Sequence, residues 1–324
     1  MSELIDITGV VARLMKAENI LILCHKNPDG DTLGSAGALQ WTLQALGKTC
    51  AVFCADPIHV RYAFMGLELF RGQFTPQYIV AVDIAGQQLF GEAASEYADK
   101  VDLCIDHHGT NSGYADAMLL DATAAATCEL IYELVVGMGV AVDMRIANCL
   151  YTGVSTDTGC FKFANTTART HRVAARLIDL GADLRMLNEL LFENKSRQQL
   201  EVEQLALASL EYHYEGTCAL ICFTREQLAA IGANDTDLEG ITSMPRAIDG
   251  VLVGITMRQQ PGGSYKISVR TKTGINAATI CEHLGGGGHT QAAGCEIIGG
   301  LENAKAAILA EAARVLPEYT KQKP

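Results

Sequence analysis

The sequence predicts an α/β protein, with an N-terminal parallel-sheet domain joined by a helical connector to a smaller α/β C-terminal domain. Three observations predict it. Short apolar runs alternate with amphipathic helical stretches through the first half, the pattern of a parallel sheet. Near Lys195 the pattern gives way to one long polar helix. Beyond it, strands and helices resume in a different mixture, and 324 residues suffice for two separate cores.

The opening stretch, MSELIDITGVVARLMKAENI, spaces Ile5, Val10, Val11, Leu14 and Met15 as one face of a helix. It lacks the basic leader and small-residue cleavage site of a secretory signal. No window approaches the ~18 uninterrupted apolar residues of a membrane span, so a cytoplasmic protein without membrane attachment is expected. Strands are predicted at 20–24, 49–53, 78–82 and 101–105, and helices at 33–46, 122–138, 143–155 and 168–180. Gly47 and Gly181 stand where helices should stop. Domain limits follow as 1–194, a connector over 195–214, and 215–324. The second domain carries strands at 217–223, 250–258 and 264–271, with helices near 227–231, 275–284 and 301–315.

Composition narrows the function. Hydrophobic residues at 49% against 19% charged exclude a disordered chain. Eleven cysteines read as reduced core thiols: Cys24, Cys104, Cys149 and Cys222 sit in apolar runs, and the pairs Cys50/Cys54 and Cys218/Cys222 lack zinc-ribbon spacing. A net charge of −12 without a basic stripe argues against gripping long nucleic acid, whose affinity comes from counterion release. A small ligand or a very short oligonucleotide fits better.

Chemistry-bearing residues gather at the ends of buried elements, where ligands of open parallel sheets bind. The first strand runs into His25-Lys-Asn-Pro-Asp29-Gly-Asp31, whose turn aims two carboxylates at one point. Such charges crowd cheaply only around a cation, although aspartate and glycine also populate solvated β–α loops. The run Tyr-Ile-Val-Ala-Val ends in Asp83, which equally suits a helix cap. Val-Asp-Leu-Cys-Ile leads into Asp106-His107-His108, two imidazoles beside a carboxylate able to orient one of them. Asp157 follows an apolar helical stretch and precedes a glycine turn, a place open to an ordinary loop aspartate too. Oxygen ligands mixed with imidazole suit Mn²⁺, and less selectively Mg²⁺, Fe²⁺ or Co²⁺. Two such ions about 3.5–4 Å apart form the usual clamp for phosphate-ester hydrolysis.

With those residues in view, the chain resembles the DHH phosphoesterases across nearly its whole length, through His25-x3-Asp29-x-Asp31, Asp83, Asp106-His107-His108 and Asp157. The run 285–294, Gly-Gly-Gly-Gly-His-Thr-Gln-Ala-Ala-Gly, resembles the signature of the DHH-associated domain of the first type. The resemblance implies a catalytic first domain with two divalent ions. His25, Asp29 and Asp83 would hold one; Asp31, Asp83, His107 and Asp157 the other, with Asp83 bridging. Asp106 would orient the cluster, and His108 would contact the substrate phosphate and protonate the leaving oxygen. The second domain would close over the metals, with Arg270, Gly286, Gly287, Gly288 and His289 as its substrate-binding face. Arg258 is either a helper on this face or an ordinary surface arginine. Cys160 departs from the family pattern, where an arginine is expected.

Within the family, the size and domain pairing resemble the small oligoribonucleases that also act as 3′-phosphoadenosine 5′-phosphate phosphatases. The implied activity is hydrolysis of oligonucleotides a few residues long, such as pApA, to mononucleotides. Rivals are a pApA-specialised phosphodiesterase of cyclic-di-AMP turnover, a pyrophosphatase, and a non-catalytic nucleotide-binding regulator. The last needs a missing ligand, and none is missing. Apolar helices near the domain junction suit a homodimer interface and a core equally.

Overall fold

The computed structural model describes residues 2–316 apart from Glu239. Residues up to Asn194 pack as one compact unit and those from Lys195 as a second.

The first unit is built on six strands: β1 (Glu3–Leu4), β2 (Ile20–Leu23), β3 (Cys50–Phe53), β4 (Tyr78–Val82), β5 (Leu103–Asp106) and β6 (Ala117–Leu120). They lie in the order β1-β6-β5-β4-β2-β3, all parallel. The strands are apolar without alternation because both sheet faces are covered. Ile20, Ile22, Val80, Val82, Leu103 and Ile105 face one core, while Leu21, Leu23, Ile79, Ala81 and Cys104 face another. Helices α1 (Ile7–Lys16), α2 (Gly30–Ala45), α3 (Ser95–Ala98), α4 (Thr127–Gly137), α5 (Met144–Asp157), α6 (Ala168–Asp179) and α7 (Leu184–Asn188) complete the unit. Gly47 and Gly181 follow α2 and α6 with φ of 78° and 99°, the left-handed backbone that ends a helix.

From β2 the chain crosses to β3 on one side, whereas β4 lies on the other side of β2. The strand order therefore reverses between β2 and β4. In open α/β sheets a crevice forms outside the strand ends at such a point.

α2 and α5 pack closely through small residues. A Cβ on Gly34 would lie 2.3 Å from the Cys149 carbonyl oxygen. Gly34→Ala is expected to destabilise the unit by about 1–3 kcal/mol through overpacking, outweighing about 1 kcal/mol of helix propensity. Urea melts of the two proteins check this; an unchanged midpoint would mean that the helices separate without cost.

The second unit holds β7 (Glu211–His213), β8 (Cys218–Phe223), β9 (Val253–Gln259), β10 (Tyr265–Thr271), β11 (Gly287–His289) and β12 (Ala292–Ile297). Their order is β11-β12-β10-β9-β8-β7, antiparallel except for β8 with β9. Its helices are α8 (Arg197–Ala208), α9 (Arg225–Ala230), α10 (Met244–Ala247), α11 (Ala277–Glu282) and α12 (Leu301–Val315). Ala304, Ile308 and Ala312 of α12 join Val253, Ile255, Ile267 and Val269 in one core.

Two segments differ from the sequence expectation. The stretch 195–214 is not a single connecting helix: α8 ends at Ala208, buries Val202 and Ala206 against Ile221 and Phe223, and is followed by the edge strand β7. The glycine run is strand as well as turn, since Gly287–His289 pairs with β12. Among the described residues no helix is long and apolar enough to cross a membrane.

Candidate metal centre

The ends of β2, β4 and β5 and the last turn of α5 bring the predicted ligands of the first unit together. Asp29 caps α2, its carboxylate accepting the Asp31 and Thr32 amides at 3.0 and 3.2 Å. Asp31, in the first turn of α2, is fully buried, and its two oxygens accept the Thr127 and Cys128 amides at 2.6 and 3.0 Å. The α4 N-cap, Ala126, has no side-chain cap; Asp31 supplies one from far away in sequence. Asp83 follows β4 with φ of 61° and accepts the Thr127 hydroxyl at 2.9 Å.

His107 Nε2 lies 3.3 Å from Asp157 Oδ2, 3.6 Å from Asp83 Oδ1 and 4.0 Å from Asp31 Oδ2. His25 Nε2 lies 3.5 Å from Asp29 Oδ1 and 3.8 Å from Asp83 Oδ2. The two oxygens of Asp83 thus face two different imidazoles. Ligand atoms of His25, Asp29 and Asp83 cluster within 4.8 Å of one another, as do those of Asp31, His107 and Asp157.

The third cluster of this kind, Asp83 with His107 and His108, reads differently. His108 Nδ1 is bonded to Asp106 Oδ1 at 2.8 Å, while its side chain is 43% exposed, which leaves Nε2 as the outward-facing nitrogen. Asp106 is buried and also accepts the Asn111 amide at 2.6 Å and the His107 and His108 N–H groups.

The electrostatics call for added positive charge. Burial, with Asp83 and Asp157 nearby, pushes the Asp31 carboxyl well above the usual range. Burial, with Asp29 and Asp157, does the same to Asp83. Asp157 is pushed up to about 7 by burial and Asp29. His107 is held below its ordinary value by burial and by His108. His108 is raised by its bond to Asp106, whose carboxyl, against the cost of burial, is held low by His108 and Asn111.

The residues present fit divalent cations. His107 Nε2 is buried without a hydrogen-bond partner among the three carboxylates. Its Nδ1 lies 3.2 Å from the Ala124 carbonyl and His25 Nδ1 lies 2.8 Å from that of Lys26. Donation to those carbonyls leaves each Nε2 as a lone-pair ligand.

In the second unit, the register places Arg270 opposite Ala292 and Ala292 opposite His289, so Arg270 and His289 share one row and one sheet face. Burial and the Arg246 charge lower the Arg270 pKa. Arg270 and Arg246, both half-buried, form a pair of cations that suits an anion. A Cβ on Gly286 or Gly288 would strike the backbone of β12, whereas Gly287 is open. Two of the three predicted glycines are therefore required by packing within the hairpin itself.

A profile of the DHH family, N-terminal domain, matches residues 19–154, and one of the DHHA1 domain matches 221–318. Over 297 residues the chain is 32% identical to the bifunctional oligoribonuclease and PAP phosphatase NrnA of Thermus thermophilus, covering 90% of this chain and 88% of that one. The chain belongs to the DHH family. An exopolyphosphatase-related protein from Bacteroides fragilis shares the fold, with a TM-score of 0.86 at 22% identity over 96% of both chains. RecJ of Thermus thermophilus, solved in complex with Mn²⁺, shares it at a TM-score of 0.51 and 18% identity, over 98% of this chain and 55% of that one.

Sequence reasoning missed Thr127, Asn111 and Asn165. Each is an ordinary polar residue in a loop or first turn, and only the fold shows that it holds Asp83, Asp106 or the Asp157 backbone.

Proposed function

We propose that the protein is a metal-dependent phosphodiesterase that hydrolyses oligonucleotides of two to a few residues to mononucleotides, and 3′-phosphoadenosine 5′-phosphate to AMP. One observation carries the reading: Asp83 turns its two oxygens to separate groups, His25 with Asp29 on one side and His107 with Asp31 and Asp157 on the other. The activities named for the Thermus thermophilus relative, oligoribonuclease and PAP phosphatase, support the substrate class.

In this reading His25, Asp29 and Asp83 hold one cation and Asp31, Asp83, His107 and Asp157 hold the other. Mn²⁺ is the preferred ion, as carboxylate and imidazole donors suit it. When bound, two such cations make water a nucleophile near neutral pH and offset charge on the phosphate. The protein's own contribution is orientation and proton supply. Asp106 fixes the His108 ring through Nδ1, so the exposed Nε2 can bond a phosphate oxygen and hand a proton to the departing one. Arg270 and His289 would recognise a terminal phosphate from the second unit, with Gly287 offering open backbone beside them. The acidic surface disfavours long strands, and the protein works in the cytoplasm.

A substrate panel tests the proposal. After chelation and reloading with Mn²⁺, the full chain should convert pApA and 3′-phosphoadenosine 5′-phosphate to AMP and spare long RNA and pyrophosphate. Equal turnover of long RNA would end the size-selection idea; turnover of pyrophosphate alone would end the phosphodiesterase reading.

A further inference from the structure

The groups that hold the candidate ligands converge on one five-residue segment that runs from the loop after β6 into the first turn of α4. The Ala124 carbonyl bonds His107 Nδ1 at 3.2 Å. The Ala125 carbonyl and the Asp157 carbonyl both accept the Asn165 amide, each at 3.1 Å. The Thr127 and Cys128 amides hold Asp31, and the Thr127 hydroxyl holds Asp83. Residues 124–128 thus brace Asp31, Asp83, His107 and Asp157. His25 and Asp29 are braced by their own loop, through the Lys26 carbonyl and the Asp31 and Thr32 amides.

Both flanks of the segment are tied to a single side chain. Arg169, near the start of α6, bonds Asp121 at 2.6 Å on the upstream side. Downstream it bonds Glu133 at 2.7 Å and pairs with Glu129 at 3.3 Å, both on α4. Glu129 is fully buried, which disfavours its charge, and the Thr170 hydroxyl and the Arg169 guanidinium offset that cost. Without Arg169, the ties from Asp121 on one flank to Glu129 and Glu133 on the other are cut together. The first turn of α4, whose amides hold Asp31, is then free to shift.

We infer that Arg169 is a positioning residue chiefly for one cation site. By fixing both flanks of 124–128, it sets the spacing of Asp31, His107 and Asp157, while His25 and Asp29 feel it only through the shared Asp83. The inference rests on the metal-centre reading above. Groups behind the ligands of a metal site typically change its affinity 10- to 100-fold when removed, and that is the effect expected here.

Calorimetric titration of Mn²⁺ into the metal-free full chain separates the possibilities. Asp29→Asn and Asp157→Asn first assign the two binding steps to their sites. Arg169→Met should weaken the step lost in Asp157→Asn by about 10-fold or more, and the step lost in Asp29→Asn, which shares only Asp83 with the braced segment, by clearly less. Arg169→Lys, which keeps the charge but not the fork, should fall between. Should Arg169→Met fail to fold, Asn165→Ala carries the test, because it cuts the exposed tie between Ala125 and Asp157 and should weaken the same step alone. Equal weakening of both steps, or none in a folded variant, overturns the role of Arg169. Absence of saturable Mn²⁺ binding by the wild type overturns the metal-centre reading itself.

Discussion

Asp83→Asn is expected to lower turnover of a short oligonucleotide by more than about a thousandfold, while the metal-free protein stays at least as stable as the wild type. Asparagine preserves what Asp83 does for the fold. It tolerates the left-handed backbone at φ of 61°, and its amide oxygen can still accept the Thr127 hydroxyl. What it removes is the second anionic oxygen, so one group cannot serve the His25 side and the His107 side together. It also removes a buried charge that Asp29 and Asp157 disfavour, which accounts for the retained or increased stability. Thermal melts with chelator and with Mn²⁺, run beside the assay, check both halves. Wild-type protein should gain melting temperature on adding Mn²⁺ and the variant little. A variant with near-normal turnover would remove Asp83 from the chemistry.

The second large effect concerns pH. Without metal, the protein should lose stability as pH rises from about 4 to about 7; a saturating divalent cation should abolish or reverse that trend. Asp157 has an ordinary value of 3.8 when unfolded and is pushed to about 7 when folded. Between those values the folded state binds more protons than the unfolded one, so stability falls with rising pH. One such group contributes on the order of 2–4 kcal/mol across the window. Asp31 and Asp83 are raised and act in the same sense. His25 is raised too, chiefly by Asp29 against the cost of burial, and adds to the loss above its ordinary value. A bound cation favours the ionised carboxylates, so its stabilisation grows with pH. Melting curves at several pH values, with chelator and with Mn²⁺, read this directly, and Asp157→Asn isolates the cluster's share. A metal-free melting temperature that climbs between pH 5 and 7 in the wild type, and equally in Asp157→Asn, would mean that the carboxylates are not crowded.

Much of the fold was legible because buried parallel strands have no polar alternation to hide them. The strand Tyr78–Val82 and the helix Leu301–Val315 have the limits the apolar pattern predicts. The short edge elements were not legible. β1 has two exposed residues, and β7, Glu-Tyr-His, is a polar strand held by pairing with β8 rather than by its own apolar face. The predicted helix over 122–138 begins only at Thr127, since Asp121–Ala126 forms turns that position the Ala124 carbonyl against His107. At the site, acid and imidazole residues at strand ends announce themselves by chemical type. The groups that aim them are backbone amides and carbonyls, which no residue letter reveals.

The candidate metal centre opens at His25 and closes at Asp157, with the start of α2 and the ends of β4 and β5 contributing the residues in between. A nascent chain still lacking α5 offers an incoming ion only part of its coordination sphere. On the proposed reading, capture of a second ion would therefore come late in biogenesis and would report that the chain has been made and assembled through α5.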